Sequence, residues 1–174
     1  PAYTDIQNMR SFADVIPVGM QVVATEKIHG SSFRAAIVHV DGVPVRMAGS
    51  RTLRRKQPEK YAASTYWKPF LDEGVVSLLE TLSAHGDDVV LYGEVFGKGV
   101  QSYTYGANAQ DFRAFDISIN GKYVDSVEFQ ALCLAHCVPQ VPVIYNGPYN
   151  LDVIALLADG ESLVGGEQGR EGVV

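Results

Sequence analysis

Residues 20–48, MQVVATEKIHGSSFRAAIVHVDGVPVRMA, hold the pattern from which the rest of the chain is read. The stretch opens on a short β-rich run, residues 20–25, and passes through Glu26-Lys27-Ile28-His29-Gly30 before a second run begins at Phe33. Residues 33–40 (FRAAIVHV) and 43–48 (VPVRMA) are separated only by Asp41-Gly42, a dipeptide suited to the positive φ angles of a tight hairpin turn. A hairpin is therefore expected at 33–48, with Lys27 in the gap before it. A lysine at a strand end beside a glycine can point into a cleft, where burial and neighbouring cations lower its pKa and make the amine nucleophilic. Taken alone, Lys-x-x-Gly is far more often the pattern of a surface turn.

Working outward, the polar stretch 49–60 gathers Arg51, Arg54, Arg55 and Lys56. Phe70, Leu71, Val75, Leu78, Leu79 and Leu82 recur at threes and fours, the period of a helix with one buried face, and His85-Gly86 closes the pattern. Residues 88–96 (DVVLYGEVF) read as a buried strand and 112–119 (FRAFDISI) as another, with Asn120-Gly121 as the turn before Lys122-Tyr123-Val124. A second helix is expected over about 126–136, with Asp125 as N-cap and Glu128 completing a capping box. A third is expected from near Asn150 through 151–157 to Asp159-Gly160. The sum is a strand-rich α+β chain, with mostly antiparallel sheets flanked by helices.

Composition bounds the function. With 174 residues, 47% hydrophobic and 20% charged, the chain fits one domain with a real core. No apolar run approaches the roughly 20 residues of a membrane span, and no basic-then-apolar leader opens the sequence. A cytoplasmic location without membrane contact is expected. The net charge of −6 argues against a general nucleic-acid binder. It leaves room for one local basic patch, and Arg54, Arg55 and Lys56 beside Arg51 are where a 5′-phosphate strand would dock. Cys133 and Cys137 lie one helical turn apart with no second pair at zinc spacing, so both read as helix packing. His39, His85 and His136 share no spacing that suggests a site. No strand is followed by a GxxxxGK[ST] or GxGxxG loop, so a nucleotide site would need another basis.

Further short motifs follow Lys27 in order. They are Gly49-Ser50-Arg51, then Tyr92-Gly93-Glu94-Val95-Phe96-Gly97, then Phe112-Arg113-Ala114-Phe115-Asp116-Ile117, and last Arg170-Glu171-Gly172-Val173-Val174. This ordered set, over about residues 26–174, resembles the covalent nucleotidyltransferase superfamily of ATP-dependent ligases and capping enzymes. His29 stands where DNA ligases and capping enzymes carry an aspartate. That position, and residues 93–101 (GEVFGKGVQ) with Tyr105-Gly106, resemble the RNA ligase 2 family and its RNA-editing relatives.

The resemblance implies an ATP-grasp-like nucleotidyltransferase domain spanning residues 1–174. Lys27 would attack the α-phosphate of ATP, release pyrophosphate and hold AMP. Glu26 and the backbone around Ile28 would meet the adenine edge, Phe115 the adenine face, Arg51 the ribose or phosphate region, and Glu94 a ribose hydroxyl. Glu171, with Asp116 as a further acid, would hold Mg²⁺ or Mn²⁺, a role that suits carboxylate oxygens. His29 would act in the later steps on RNA ends, where a 5′-phosphate is joined to a 3′-hydroxyl, with a nicked duplex as one form of substrate. The superfamily also carries a K-x-K strand after E-G-V-V, which residues 1–174 lack. The domain is accordingly expected to be truncated at its C-terminal edge and slow to adenylylate. An ATP-dependent DNA ligase and a noncovalent nucleotide- or RNA-binding module remain the alternatives.

Overall fold

The computed structural model describes residues 3–12 and 14–174. Its strands are β1 (Gln21–Thr25), β2 (Ser31–Val40), β3 (Val43–Ser50), β4 (Arg54–Arg55), β5 (Val89–Gly97), β6 (Gln110–Ile119), β7 (Lys122–Tyr123) and β8 (Val143–Pro148). Its α-helices are α1 (Glu73–Ser83), α2 (Ser126–Ala135) and α3 (Leu151–Ala158). No helix among the described residues is long and apolar enough to cross a membrane.

The hairpin forms as its turn chemistry dictates. Asp41 and Gly42 take φ of 52° and 77°, and Val40 pairs with Val43. Asn120 and Gly121 repeat the device at φ 51° and 78°, turning β6 into β7. These strands build a six-stranded antiparallel sheet in the order β4-β3-β2-β5-β6-β7, while β1 and β8 form a separate two-stranded sheet. The segment 139–142 stitches the sheets together. Ala114 donates to Pro139 O at 2.8 Å, Val141 donates to Ala114 O at 2.8 Å, and Glu26 donates to Pro142 O at 2.9 Å.

One face of the large sheet is sealed by α1, α2 and the 3₁₀ turns before α1. Trp67, Phe70, Val75, Leu78, Leu79 and Cys133 pack there against Phe33, Leu91, Val95, Phe112, Ala114 and Ile117. Leu78 and Leu79 are fully buried, so truncating either to alanine would cost about 2–5 kcal/mol. Gly74 lets the two helices meet, since a Cβ there would lie 2.3 Å from His136 O. The opposite face carries Ala36, Val90 and Tyr92, with Tyr3 and Phe115 packed on them.

The structure departs from the sequence pattern in four places. Phe70 and Leu71 lie not in α1 but in a 3₁₀ turn, Lys68–Leu71, leaving Leu71 57% exposed. The Asp72 carboxylate accepts from Val75 N–H and starts the helix after it. Cys137 is exposed at φ 57°, beyond the end of α2, so only Cys133 packs in the core. Strand β8 is not announced by VIYNGP, whose Asn-Gly-Pro end reads as a turn; β1 supplies its pairing from Gln21↔Pro148 onward. Finally, β6 is bulged. Tyr92 pairs with Asp116 but Gly93 with Ala114, leaving Phe115 as the extra residue. Strict alternation would put Phe115 on the face of Ile117. The bulge instead leaves Ala114 and Ile117 toward the helices, and Phe115 packs with Tyr3 and Tyr92 on the other side.

Candidate functional site

Lys27 follows shortly after the last residue of β1, where the segment 172–174 lies alongside. Thr25 and Val174 exchange both backbone hydrogen bonds, at 2.8 and 2.9 Å, and Lys27 N–H donates to Gly172 O at 3.0 Å. This antiparallel pairing sets Glu171 beside the lysine. The Lys27 ammonium pairs with Glu171 Oε1, and His29 Nδ1 lies 3.6 Å from Glu171 Oε2. Both partners of the lysine pair are partly exposed, as a group meant to meet a ligand requires.

Glu94 enters from β5. Burial pushes its carboxyl up to about 7, the Ser32 hydroxyl at 2.9 Å and the Lys27 charge draw it back, and Glu171 raises it further. Gly30 explains the spacing of the lysine motif. A Cβ at that position would sit 2.2 Å from Val95 O and 2.9 Å from Glu94 Cγ, so only glycine lets the chain pass this close to β5. Lys27, His29, Glu94 and Glu171 are thus drawn from three segments into one electrostatic cluster where the two sheets meet.

The remaining expected residues fall into place less evenly. Ile28 is buried with Phe96, Tyr105 and Val141, and Phe115 packs at the margin of that cluster. Phe115 and Asp116 also line a cleft with Thr25, Gln140, Val141 and Val143. The N-terminal segment lies over two of the expected nucleotide contacts. Tyr3 sets its ring edge-on to Phe115 at 5.0 Å, and Asp5 pairs with Arg51. Glu26 is 1% exposed, and its carboxylate is engaged by Ser162 Oγ at 2.5 Å and Leu163 N–H at 2.8 Å.

Asp116 is engaged on the Tyr3 side of β6. Its carboxylate accepts from the Tyr3 hydroxyl at 2.9 Å and from Ile117 N–H at 2.8 Å. Burial raises its pKa against those hydrogen bonds. A metal role for Asp116 beside Glu171 would require the Tyr3 hydroxyl to release it. Among the described residues no three His, Cys, Asp or Glu side chains gather to hold a metal ion. Glu171 by itself suits a cation that takes its other ligands from phosphate and water.

Arg54 and Arg55 form the outermost strand, β4, and with Lys56 they are exposed. Arg55 is held over the Tyr66 ring at 5.1 Å. Sequence reasoning gives Ser32, Ser162 and Gln168 no role. Isolated polar residues carry no periodic or motif signal, and only their partners reveal them.

The family model described as RNA ligase matches residues 20–174. The fold is similar to that of Naegleria gruberi RNA ligase with PPi, at 23% identity and a TM-score of 0.82, covering 99% of this chain and 51% of that one. A mutant of that ligase with AMP and Mn gives the same identity, TM-score and coverage. A further mutant, with ATP and Mn, gives 24% identity and a TM-score of 0.75 over 90% of this chain and 46% of that one. The chain therefore spans about half the length of the ligase chains it matches. No curated protein sequence matches it.

Proposed function

Because this chain belongs to the RNA ligase family, we propose that it activates RNA ends by nucleotidyl transfer through Lys27. The observation that carries the reading is the pairing of Lys27 with Glu171, with the half-buried Glu94 within electrostatic reach of both. Lys27 first gives up a proton to solvent. Its Nζ then forms a bond to the α-phosphorus of ATP as the bond to the β-phosphate oxygen breaks and pyrophosphate leaves. An oxygen of an RNA 5′-phosphate next displaces Lys27 from AMP, and the lysine regains its proton. A 3′-hydroxyl finally attacks the RNA phosphorus, loses its proton and expels AMP.

Such transfers need positioning and charge neutralisation more than covalent help. Glu94 accepts from a ribose hydroxyl, and Phe115 stacks on adenine for about 1–3 kcal/mol. The backbone at Ile28 meets the adenine edge. Glu26 joins it through its main-chain carbonyl, since its carboxylate and N–H are already engaged. Arg51 takes the ribose or phosphate region, and His29 serves the later steps on RNA. Arg54, Arg55 and Lys56 line up as phosphate contacts for the RNA strand. A divalent cation, Mg²⁺ or Mn²⁺, would be held by Glu171 and would supply positive charge at the phosphates. Structures of the Naegleria ligase with ATP and Mn support both the donor and the metal. The adenylylation domain is placed at residues 1–174, and strand joining by the whole protein is part of the proposal.

Mass spectrometry after incubation with ATP and Mg²⁺ tests it. The expected result is a protein carrying one AMP, absent in Lys27→Ala. ATP that binds without any adduct would favour a noncovalent module. Preferential sealing of all-DNA nicks over RNA-ended nicks would favour a DNA ligase.

A further inference from the structure

A lysine side chain has enough rotatable bonds that the reach of its amine is set by the backbone on either side. Here the flanking residues are tethered to one loop. On the N-terminal side, the buried Glu26 carboxylate receives Ser162 Oγ at 2.5 Å and Leu163 N–H at 2.8 Å. On the C-terminal side, His29 N–H donates to the Tyr105 hydroxyl at 2.7 Å. Tyr105 in turn donates its own N–H to Gln168 Oε1 at 3.0 Å, so the second tether returns to the loop that holds the first.

The loop is built to hold its shape. Ser162 N–H donates to Gln168 O at 3.1 Å, and Glu161 bridges Gly169. Arg170 closes the base, with Nη1 donating to Leu157 O at 2.6 Å and its N–H to Gly160 O at 2.8 Å. Gly166, at φ 77°, allows it to lie against Tyr105, since a Cβ there would meet Gly106 N and Tyr105 C at 2.9 Å. The Tyr105 ring is packed edge-on to Phe96 at 5.1 Å, which fixes where its hydroxyl points. A carboxylate kept 1% exposed and answered by a hydroxyl and an amide is an expensive arrangement for a merely structural contact.

We infer that the 161–169 loop, acting through Ser162 on Glu26 and through Tyr105 on His29, is the positioning device that aims Lys27 at the α-phosphate. The inference rests on the lysyl-AMP reading above. Ser162 and Tyr105 are assigned no contact with nucleotide or reacting atoms; they are positioning residues, and their effect should appear in the rate of transfer and not in the affinity for ATP.

Single-turnover AMP transfer in the intact protein separates the possibilities, because amplitude reports the folded fraction and the rate constant reports alignment. Ser162→Ala and Tyr105→Phe should each lower the rate constant roughly tenfold, with half-saturating ATP within about twofold and amplitude preserved. Ser162→Thr keeps the hydroxyl and should recover most of the rate. An unchanged rate constant, or a loss confined to amplitude or to ATP half-saturation, overturns the inference. A Ser162→Thr variant no faster than Ser162→Ala does the same. A parent protein that forms no covalent AMP removes the lysyl-AMP reading itself, and this inference with it.

Discussion

Lys27 and Glu171 pair across two antiparallel segments separated by 144 residues of sequence. The pair exists only because the segment 172–174 lies against the end of β1, so the proposed nucleophile and its acid are placed by the same backbone hydrogen bonds. Glu171→Gln keeps the shape and removes the charge. AMP loading should fall by about 100-fold, a magnitude ordinary for the loss of one charged group at a phosphoryl-transfer site. Rates measured over a range of Mg²⁺ should show the largest deficit at the lowest concentration; a uniform deficit would argue against a metal role.

Gly30 offers a test of close approach. Gly30→Ala places a methyl 2.2 Å from Val95 O, where backbone and not a flexible side chain must yield. A loss of about 1–3 kcal/mol is expected in urea unfolding. AMP loading should drop with it, since β5 would move and carry Glu94. A variant as stable as its parent would show that the motif tolerates more room than the structure gives it.

Glu94 makes stability depend on pH with a definite sign. Its folded value of about 7 lies above its ordinary 4.5. The group's contribution is complete below 4.5 and is lost as pH rises through about 7, because the half-buried carboxyl must then ionise. The parent should resist urea better at about pH 5 than at about pH 8, and Glu94→Gln should flatten that difference. Parallel profiles for the two proteins would contradict the assignment.

Tyr3 and Asp5 cover Phe115 and Arg51, so under the proposed function both must release before nucleotide binds there. The exposed Asp5 pair is worth little by itself. A Tyr3→Ala, Asp5→Ala double variant should lower half-saturating ATP by about threefold to tenfold, because more of the protein is ready to bind. A rise would mean that the segment supports the site.

The RNA contact proposed for Arg54 and Arg55 has a salt signature. Replacing both with alanine should weaken RNA binding and make log affinity fall less steeply with log salt. The slope should shrink by about 0.7 for each phosphate of a single strand that the protein no longer neutralises. Fluorescence anisotropy at several salt concentrations gives the slope directly; an unaltered slope would remove β4 from the interface.

Much of this molecule was legible in its sequence, for local reasons. Asp41-Gly42 and Asn120-Gly121 announced their turns because few dipeptides accept two positive φ angles in succession. Asp125 and Asn150 announced helix starts because each can accept from the first free N–H groups. Lys27, Glu94 and Glu171 were legible as an ordered set. What stayed hidden depends on partners distant in sequence. Strand β8 owes its form to β1. The engagement of Glu26 by Ser162, and of Asp116 by Tyr3, follows from packing that no local pattern encodes.

The bulge of β6 also bears on how this molecule can change. By pairing alone Phe115 is surplus: without it Ala114 would still face Gly93, Asp116 would still face Tyr92, and the strand would alternate normally. The sheet pairs in register without this residue, so its side chain answers to what it packs on, Tyr3 and Tyr92, and to what reaches it from outside. Changes of side chain here should alter ligand preference while leaving the sheet's assembly intact, which makes it the natural place to retune the molecule without rebuilding it.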